Sequence, residues 1–205
     1  MTLKIQKDRT VGFPAAFVLG STKEEKRRFA ALSALQWCKY MHLKGSTGAI
    51  MIDIDDTIMN RNQNAECDGF DVVHKFYNEA SLLYPVYVVT ARPSDQHEYV
   101  IRMLRQKGFC LPPDRLYMLP TKLYDTNIRN VEVFKWKAYL KISSMHGGVV
   151  LRMGDMLWDV ASLRSLHKRS DMKHSGYLEH VKDRDCHIFL DPSLNGTYSV
   201  KLPGR

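Results

Sequence analysis

The sequence predicts an α/β protein: a mostly parallel sheet flanked by helices. Two observations carry that expectation. Four short apolar runs, "GAIMI" (48–52), "YPVYVV" (84–89), "GVVLRM" (148–153) and "CHIFL" (186–190), are continuous rather than alternating, as strands buried on both faces are. Amphipathic segments separate the first three runs. Strands alternating with helices imply right-handed crossovers and a parallel sheet covered on both sides.

Taken in order, residues 1–20 show no clear period and read as an N-terminal arm. "STKEEKRRFAALSALQWCKYMHLKG" (21–45) reads as a helix, opened by a capping box from Ser21 with Glu24 or Thr22 with Glu25 and stopped at Gly45. Its basic cluster, Lys23, Lys26, Arg27 and Arg28, reads as a solvated face. Between the first two strands "FDVVHKFYNEASLL" supplies one helix, and 58–84 is too short for an inserted cap domain. "SDQHEYVIRMLRQKG" follows, with Asp95 and Glu98 at its start, Val100, Met103 and Leu104 at helical spacing, and Gly108 as a cap. "LPPDRLYMLPTKLYDTN" reads as a Pro-containing connection. "NVEVFKWKAYLKISSM" is a further helix with Phe134, Ala138 and Ile142 every four residues. The polar stretch 167–185 reads as a surface insertion. One domain over 1–205 is expected, with its core at about 48–191.

Net charge is +8 over 205 residues and the pI is near 9.3, which favours anionic partners such as phosphorylated metabolites or nucleic acid. Cys38, Cys67, Cys110 and Cys186 form no CxxC pair, which argues against a zinc site or a dense disulfide framework. No run approaches the ~20 apolar residues that span a bilayer. "VGFPAAFVLG" leads into "STKEEKRR" rather than a small-residue cleavage site. The expectation is a cytoplasmic protein without a membrane partner.

Ligands of open α/β sheets bind outside the carboxyl ends of the strands, and there the chemistry-bearing residues gather. Asp53 and Asp55 follow the first strand, Thr90 the second, and Asp155 and Asp159 the third. Lys135 or Lys137 lies in the helix entering that third strand. Clustered carboxylates stay ionised together only if a cation offsets them, and hard, partly hydrated oxygen sites suit Mg²⁺. A hydroxyl, a lysine and N–H groups at strand-to-helix turns are what phosphate oxygens require. A carboxylate beside Mg²⁺ can attack phosphorus in line, while a second protonates the leaving oxygen and later activates water.

"AIMIDIDDTIMN", "VYVVTARPSDQHEYVIRMLRQKGF", "FKWK" and "LRMGDMLWDV" together resemble the motifs of the haloacid dehalogenase (HAD) superfamily of phosphohydrolases. Within it the chain resembles the capless branch that includes class B acid phosphatases and plant vegetative storage proteins. The resemblance implies a Rossmann-like, HAD-like core without a large cap domain, an aspartyl-phosphate intermediate and Mg²⁺. Asp53 would be the nucleophile and a metal ligand. Asp55 would be the general acid/base and give a backbone carbonyl to the metal. Thr90 and Lys135 would bind phosphate, Asp155 and Asp159 would hold or support the metal, and Arg92 would touch substrate or form an ion pair. Lys135 is preferred to Lys137 and Lys141 for its distance before "GD", and Asp56 is expected to be replaceable.

Rival readings fit less well. An EF-hand starting at Asp53 needs Gly and a carboxylate where Ile58 and Asn64 stand. A phosphorylated receiver module needs an acceptor aspartate at a strand end between Asp56 and Thr90, and none is there. The substrate is then a phosphomonoester, either a small molecule or a nucleic-acid end, as for a polynucleotide 3'-phosphatase. A weakly catalytic storage or binding protein on the same fold is the non-enzyme alternative. His74, His97, His146, His167, His174 and His180 are expected in ordinary packing or surface roles.

Overall fold

The computed structural model describes residues 4–7, 14–17, 22–59, 71–124, 127–160, 187–191 and 197–203. In chain order the elements are β1 (Lys4–Lys7), β2 (Pro14–Phe17), α1 (Lys23–Leu43), β3 (Ala49–Ile52), α2 (Asp71–Ala80), β4 (Val86–Pro93), α3 (His97–Gln106) and β5 (Leu116–Leu119). There follow α4 (Ile128–His146), β6 (Val149–Gly154), the short α5 (Leu157–Val160), β7 (His187–Asp191) and β8 (Thr197–Lys201). The strands form one sheet in the order β1-β2-β7-β8-β6-β3-β4-β5. From β8 to β5 the pairings are parallel; β7, β2 and β1 extend the sheet antiparallel. The α/β class with a mostly parallel sheet is as expected.

Side-chain alternation along β3 sets the layers. Ile50 and Ile52 pack with Ala30, Ala34, Val73, Phe76, Val100 and Leu104 of α1, α2 and α3. Ala49 and Met51 face the other way, against Ala138, Tyr139 and Ile142 of α4. All four β3 residues are buried, which is why the run is continuously apolar; each fully buried isoleucine contributes about 1.5–3 kcal/mol.

Helix α1 opens with the capping box of Thr22 and Glu25. The Glu25 N–H donates to the Thr22 hydroxyl (3.1 Å) and the Thr22 N–H to the Glu25 carboxylate (3.2 Å). Its buried face is Arg27, Ala30, Ala31, Ala34, Leu35 and Cys38, a 3.6-residue stripe of mostly small side chains. The expected solvated face holds for Lys23 and Arg28, but Arg27 is buried, only 8% exposed. It continues the alanine stripe toward the carboxyl ends of the strands.

Several expectations are corrected. The expected arm at 1–20 includes two paired strands, β1 and β2, the latter joined to β7. The stretch read as a connection contains β5, four residues between prolines at the sheet's edge, a position that tolerates missing N–H donors. His187–Leu190 of "CHIFL" do lie in β7 (His187–Asp191), but antiparallel to β8, a strand that the sequence reading does not contain. The segment 167–185 lies outside the described residues, as do Cys67, Cys186, His167, His174 and His180. No helix among the described residues is long and apolar enough to cross a membrane.

Candidate functional site

Strand parity explains how the site assembles. Beyond β3, the Asp53 N–H donates to the Met153 carbonyl (2.9 Å), so the ladder with β6 continues and Asp53 keeps the orientation of Ala49 and Met51, toward α4. On α4, Lys135 belongs to the same buried stripe as Ala138, Tyr139 and Ile142, at i, i+3, i+4 and i+7. The two elements thus bring Lys135 Nζ to Asp53 Oδ1, with a second bond to the Val89 carbonyl. Lys137 and Lys141 are exposed, and Lys141 lies over the Tyr117 ring. Of the three candidate lysines, Lys135 reaches the cluster.

The third strand adds two carboxylates. Asp155 follows β6 directly and Asp159 returns from α5, its Oδ2 accepting from the Met156 N–H (3.1 Å) and its Oδ1 2.8 Å from Lys135 Nζ. That second approach is a buried ion pair, so Lys135 bridges Asp53 and Asp159. Oxygens of Asp53, Asp155 and Asp159 lie within 4.8 Å of one another, all buried. Gly154 makes room for them: a Cβ there would lie 2.2 Å from Asp159 Cβ and 2.5 Å from its Oδ2.

Charge balance is the central feature. Burial pushes the Asp53 carboxyl up to about 7; Lys135 opposes that shift, while Asp159 and Asp55 add to it. Burial likewise raises Asp155 to about 8, with repulsion from Asp159, Asp53 and Asp56 behind it. Burial works against the Lys135 ammonium, but Asp159 and Asp53 outweigh it and its pKa is raised. When all three buried carboxyls are ionised, one ammonium leaves two negative charges, which a divalent cation would neutralise. Hard carboxylate oxygens gathered within 4.8 Å and excess negative charge fit such an ion.

Asp55 stands apart from that cluster. Its carboxylate accepts from Arg92 Nη2 (2.7 Å) and Nε (3.1 Å), a bidentate, half-buried pair. Any share of Asp55 in a metal site therefore falls to its backbone. Thr90 is fully buried, with the parity of Val86 and Val88, and its hydroxyl accepts from the Arg92 N–H (3.2 Å). The β4–β5 register shifts between Thr90 and Pro93. Such a bulge re-aims side chains, and Ala91 and Arg92 line the cleft.

A solved structure, that of the Class C acid phosphatase from Bacillus anthracis, aligns with a TM-score of 0.56 over 75% of this chain and 72% of that one, at 16% sequence identity. The fold is HAD-like. The likeness bears on the fold, not on the class B branch that the sequence resembles. No family model and no curated protein matches the chain.

In this HAD-like core the acidic cluster floors a cleft of about 700 Å³ whose walls include Tyr99, Leu119, Leu123, Tyr124, Ile128 and Trp158. Half of these wall residues, Leu119, Leu123 and Tyr124, lie in 111–127, which reads in the sequence as a connection. The available signal was position: residues 120–124 follow β5 at the same carboxyl edge. Other titratable groups play ordinary roles. His74 and His146 hydrogen-bond Gly108 and Tyr87, and His97 lies beside Glu98. Burial pushes the Cys38 thiol up to about 12, which makes it inert.

Proposed function

We propose that this protein is a phosphomonoester hydrolase that uses Mg²⁺ and forms an aspartyl phosphate on Asp53. The observation that carries this reading is the convergence of Asp53, Lys135, Asp155 and Asp159 at the carboxyl edge of β3 and β6. An oxygen of Asp53 attacks phosphorus, and the bond from phosphorus to the ester oxygen breaks as Asp55 gives that oxygen a proton. Water then attacks the phosphoryl group, Asp55 takes a proton back, and inorganic phosphate leaves with the Asp53 carboxylate restored. Lys135 balances charge on the phosphoryl oxygens and orients Asp53.

Mg²⁺ held by Asp53, Asp155 and Asp159, with the Asp55 carbonyl, would supply further positive charge against those oxygens. Arg92 parks Asp55 at the cleft wall; a phosphate that draws the guanidinium away frees Asp55 for proton transfer. Thr90 binds phosphate once its hydroxyl exchanges the Arg92 N–H for a phosphoryl oxygen.

A net charge of +8 favours anionic substrates of any size, including nucleic-acid ends. The apolar and aromatic cleft wall favours a small phosphomonoester with a planar leaving group. We take the protein as a single domain without a large cap, and the free thiols of Cys38 and Cys110 fit a reducing, cytoplasmic setting.

The test is release of phosphate from an aryl phosphate with and without Mg²⁺, by the wild type and by Asp53→Asn. Activity surviving Asp53→Asn would remove the nucleophile assignment, and inactivity on every phosphomonoester would favour a binding or storage protein. Comparing 3'-phosphorylated oligonucleotides, mononucleotides and sugar phosphates at several salt concentrations separates the substrate classes. A steep salt effect confined to oligonucleotides would favour the polynucleotide phosphatase.

A further inference from the structure

Arg27 lies far from the acidic cluster in sequence and holds two backbone segments at its edge. Helix α1 enters β3 through the turn at 44–48, so its first turns lie at the carboxyl ends of the strands. There Arg27 Nη2 donates to the Asp56 carbonyl (2.7 Å) and to the Pro203 carbonyl (3.2 Å). One residue before Pro203, the Leu202 N–H donates to the Gly154 carbonyl (2.7 Å). Asp56 directly follows Asp55 and has a left-handed backbone, φ 53°. Gly154 directly precedes Asp155 and lies against Asp159.

The three bonds therefore form a continuous tie from the Asp53–Asp55 loop, through Arg27 and the segment after β8, to the strand end carrying Asp155. The two acidic loops bring carboxylate oxygens of Asp53, Asp155 and Asp159 within 4.8 Å of one another, and like charges at that distance repel. The β3–β6 ladder and Lys135 hold the strand ends and the side chains; the Arg27 tie holds the loop backbone beyond them. An arginine suits the task because its rigid guanidinium donates to two carbonyls without moving its stem.

We propose that Arg27 is a positioning residue: by bridging the Asp56 and Pro203 carbonyls it sets the spacing of the two carboxylate loops and thereby the affinity of the cation site. The inference rests on the cation reading of the cluster. Residues that orient metal ligands act without touching the ion.

The test uses the full chain and Mn²⁺ alone, with free ion followed by its electron paramagnetic resonance signal. Arg27→Met keeps the apolar stem and removes the donors. It should weaken Mn²⁺ binding about ten-fold, the lower end for loss of a ligand-orienting partner. Ala31→Gly loosens the same helix without touching either loop and should leave Mn²⁺ affinity unchanged. Wild-type affinity in Arg27→Met, or equal weakening in Ala31→Gly, would overturn the proposal. If Arg27→Met does not fold, Arg27→Lys decides: weaker binding supports the tie and unchanged binding overturns it. A wild type that binds no Mn²⁺ would instead overturn the cation reading itself, and this inference with it.

Discussion

Gly154→Ala is the sharpest perturbation the site allows, because it adds one carbon where the backbone itself permits alanine. Gly154 is not among the positive-φ residues, so the cost is steric alone. The new Cβ would lie 2.2 Å from Asp159 Cβ, against about 3.5 Å for ordinary carbon contact. Asp159 must therefore retreat by about 1.3 Å. Its Oδ1 is 2.8 Å from Lys135 Nζ, and its Oδ2 accepts from the Met156 N–H; neither contact survives such a shift intact. Breaking a buried ion pair costs about 3–5 kcal/mol, and the lower end applies because Lys135 keeps Asp53. A displacement of about 1 Å in a catalytic constellation costs about 100-fold in rate. Urea unfolding and aryl phosphate hydrolysis read the two effects. Repeating the substitution in an Asp159→Gly background isolates the clash: there it should cost less than about 1 kcal/mol. Equal destabilisation in both backgrounds, or full activity in Gly154→Ala, would refute the reasoning.

Three further outcomes follow from the same geometry. In the metal-free protein, the Asp53 and Asp155 carboxyls titrate near 7 and 8, so the native state holds protons that the unfolded chain releases above about pH 4. Their favourable contribution is full below about pH 4 and is lost as pH rises through about 8. Thermal unfolding should then show a larger stabilisation by Mg²⁺ at about pH 8 than at about pH 5; equal shifts would count against the cluster as the cation site. Lys135→Met leaves three buried carboxylates without their ammonium and should destabilise the metal-free protein by about 3–5 kcal/mol in urea at about pH 8. At Asp56, glycine fits the left-handed turn and should keep stability within about 1 kcal/mol, whereas valine should cost about 1–2 kcal/mol; activity near wild type in Asp56→Gly is the check that this carboxylate is dispensable.

The parts of the fold and site governed by short-range pattern were legible. Continuous apolar runs marked the strands buried between two helical layers, and the four-residue repeat of Phe134, Ala138 and Ile142 marked α4. The same periodicity carries Lys135, at i−3 from Ala138 and i−7 from Ile142, toward the sheet. Lys137 points elsewhere by the same rule. What escaped was set by tertiary context. Arg27 reads as one charge in a solvated cluster until the helix is seen to overhang the strand ends, where carbonyls at Asp56 and Pro203 await a donor. β3 is read from four continuous apolar residues, whereas β1 (KIQK) and β2 (PAAF) lack such a run, and prolines around β5 suggest a loop. The Asp55–Arg92 pairing spans 37 residues, a relation no local spacing encodes.

The pairing of β1 with β2 and of β2 with β7 has a consequence for the protein's behaviour in solution. The sheet's outermost strands, β1 and β5, are four residues each, short templates for another chain's backbone. Strand β7, with five residues, is covered on both sides. A shortened form beginning after Phe17 would lay open one side of β7 as a row of unpaired N–H and carbonyl groups. Such edges recruit further copies, so that form should accumulate as aggregates at concentrations where the longer chain remains dispersed.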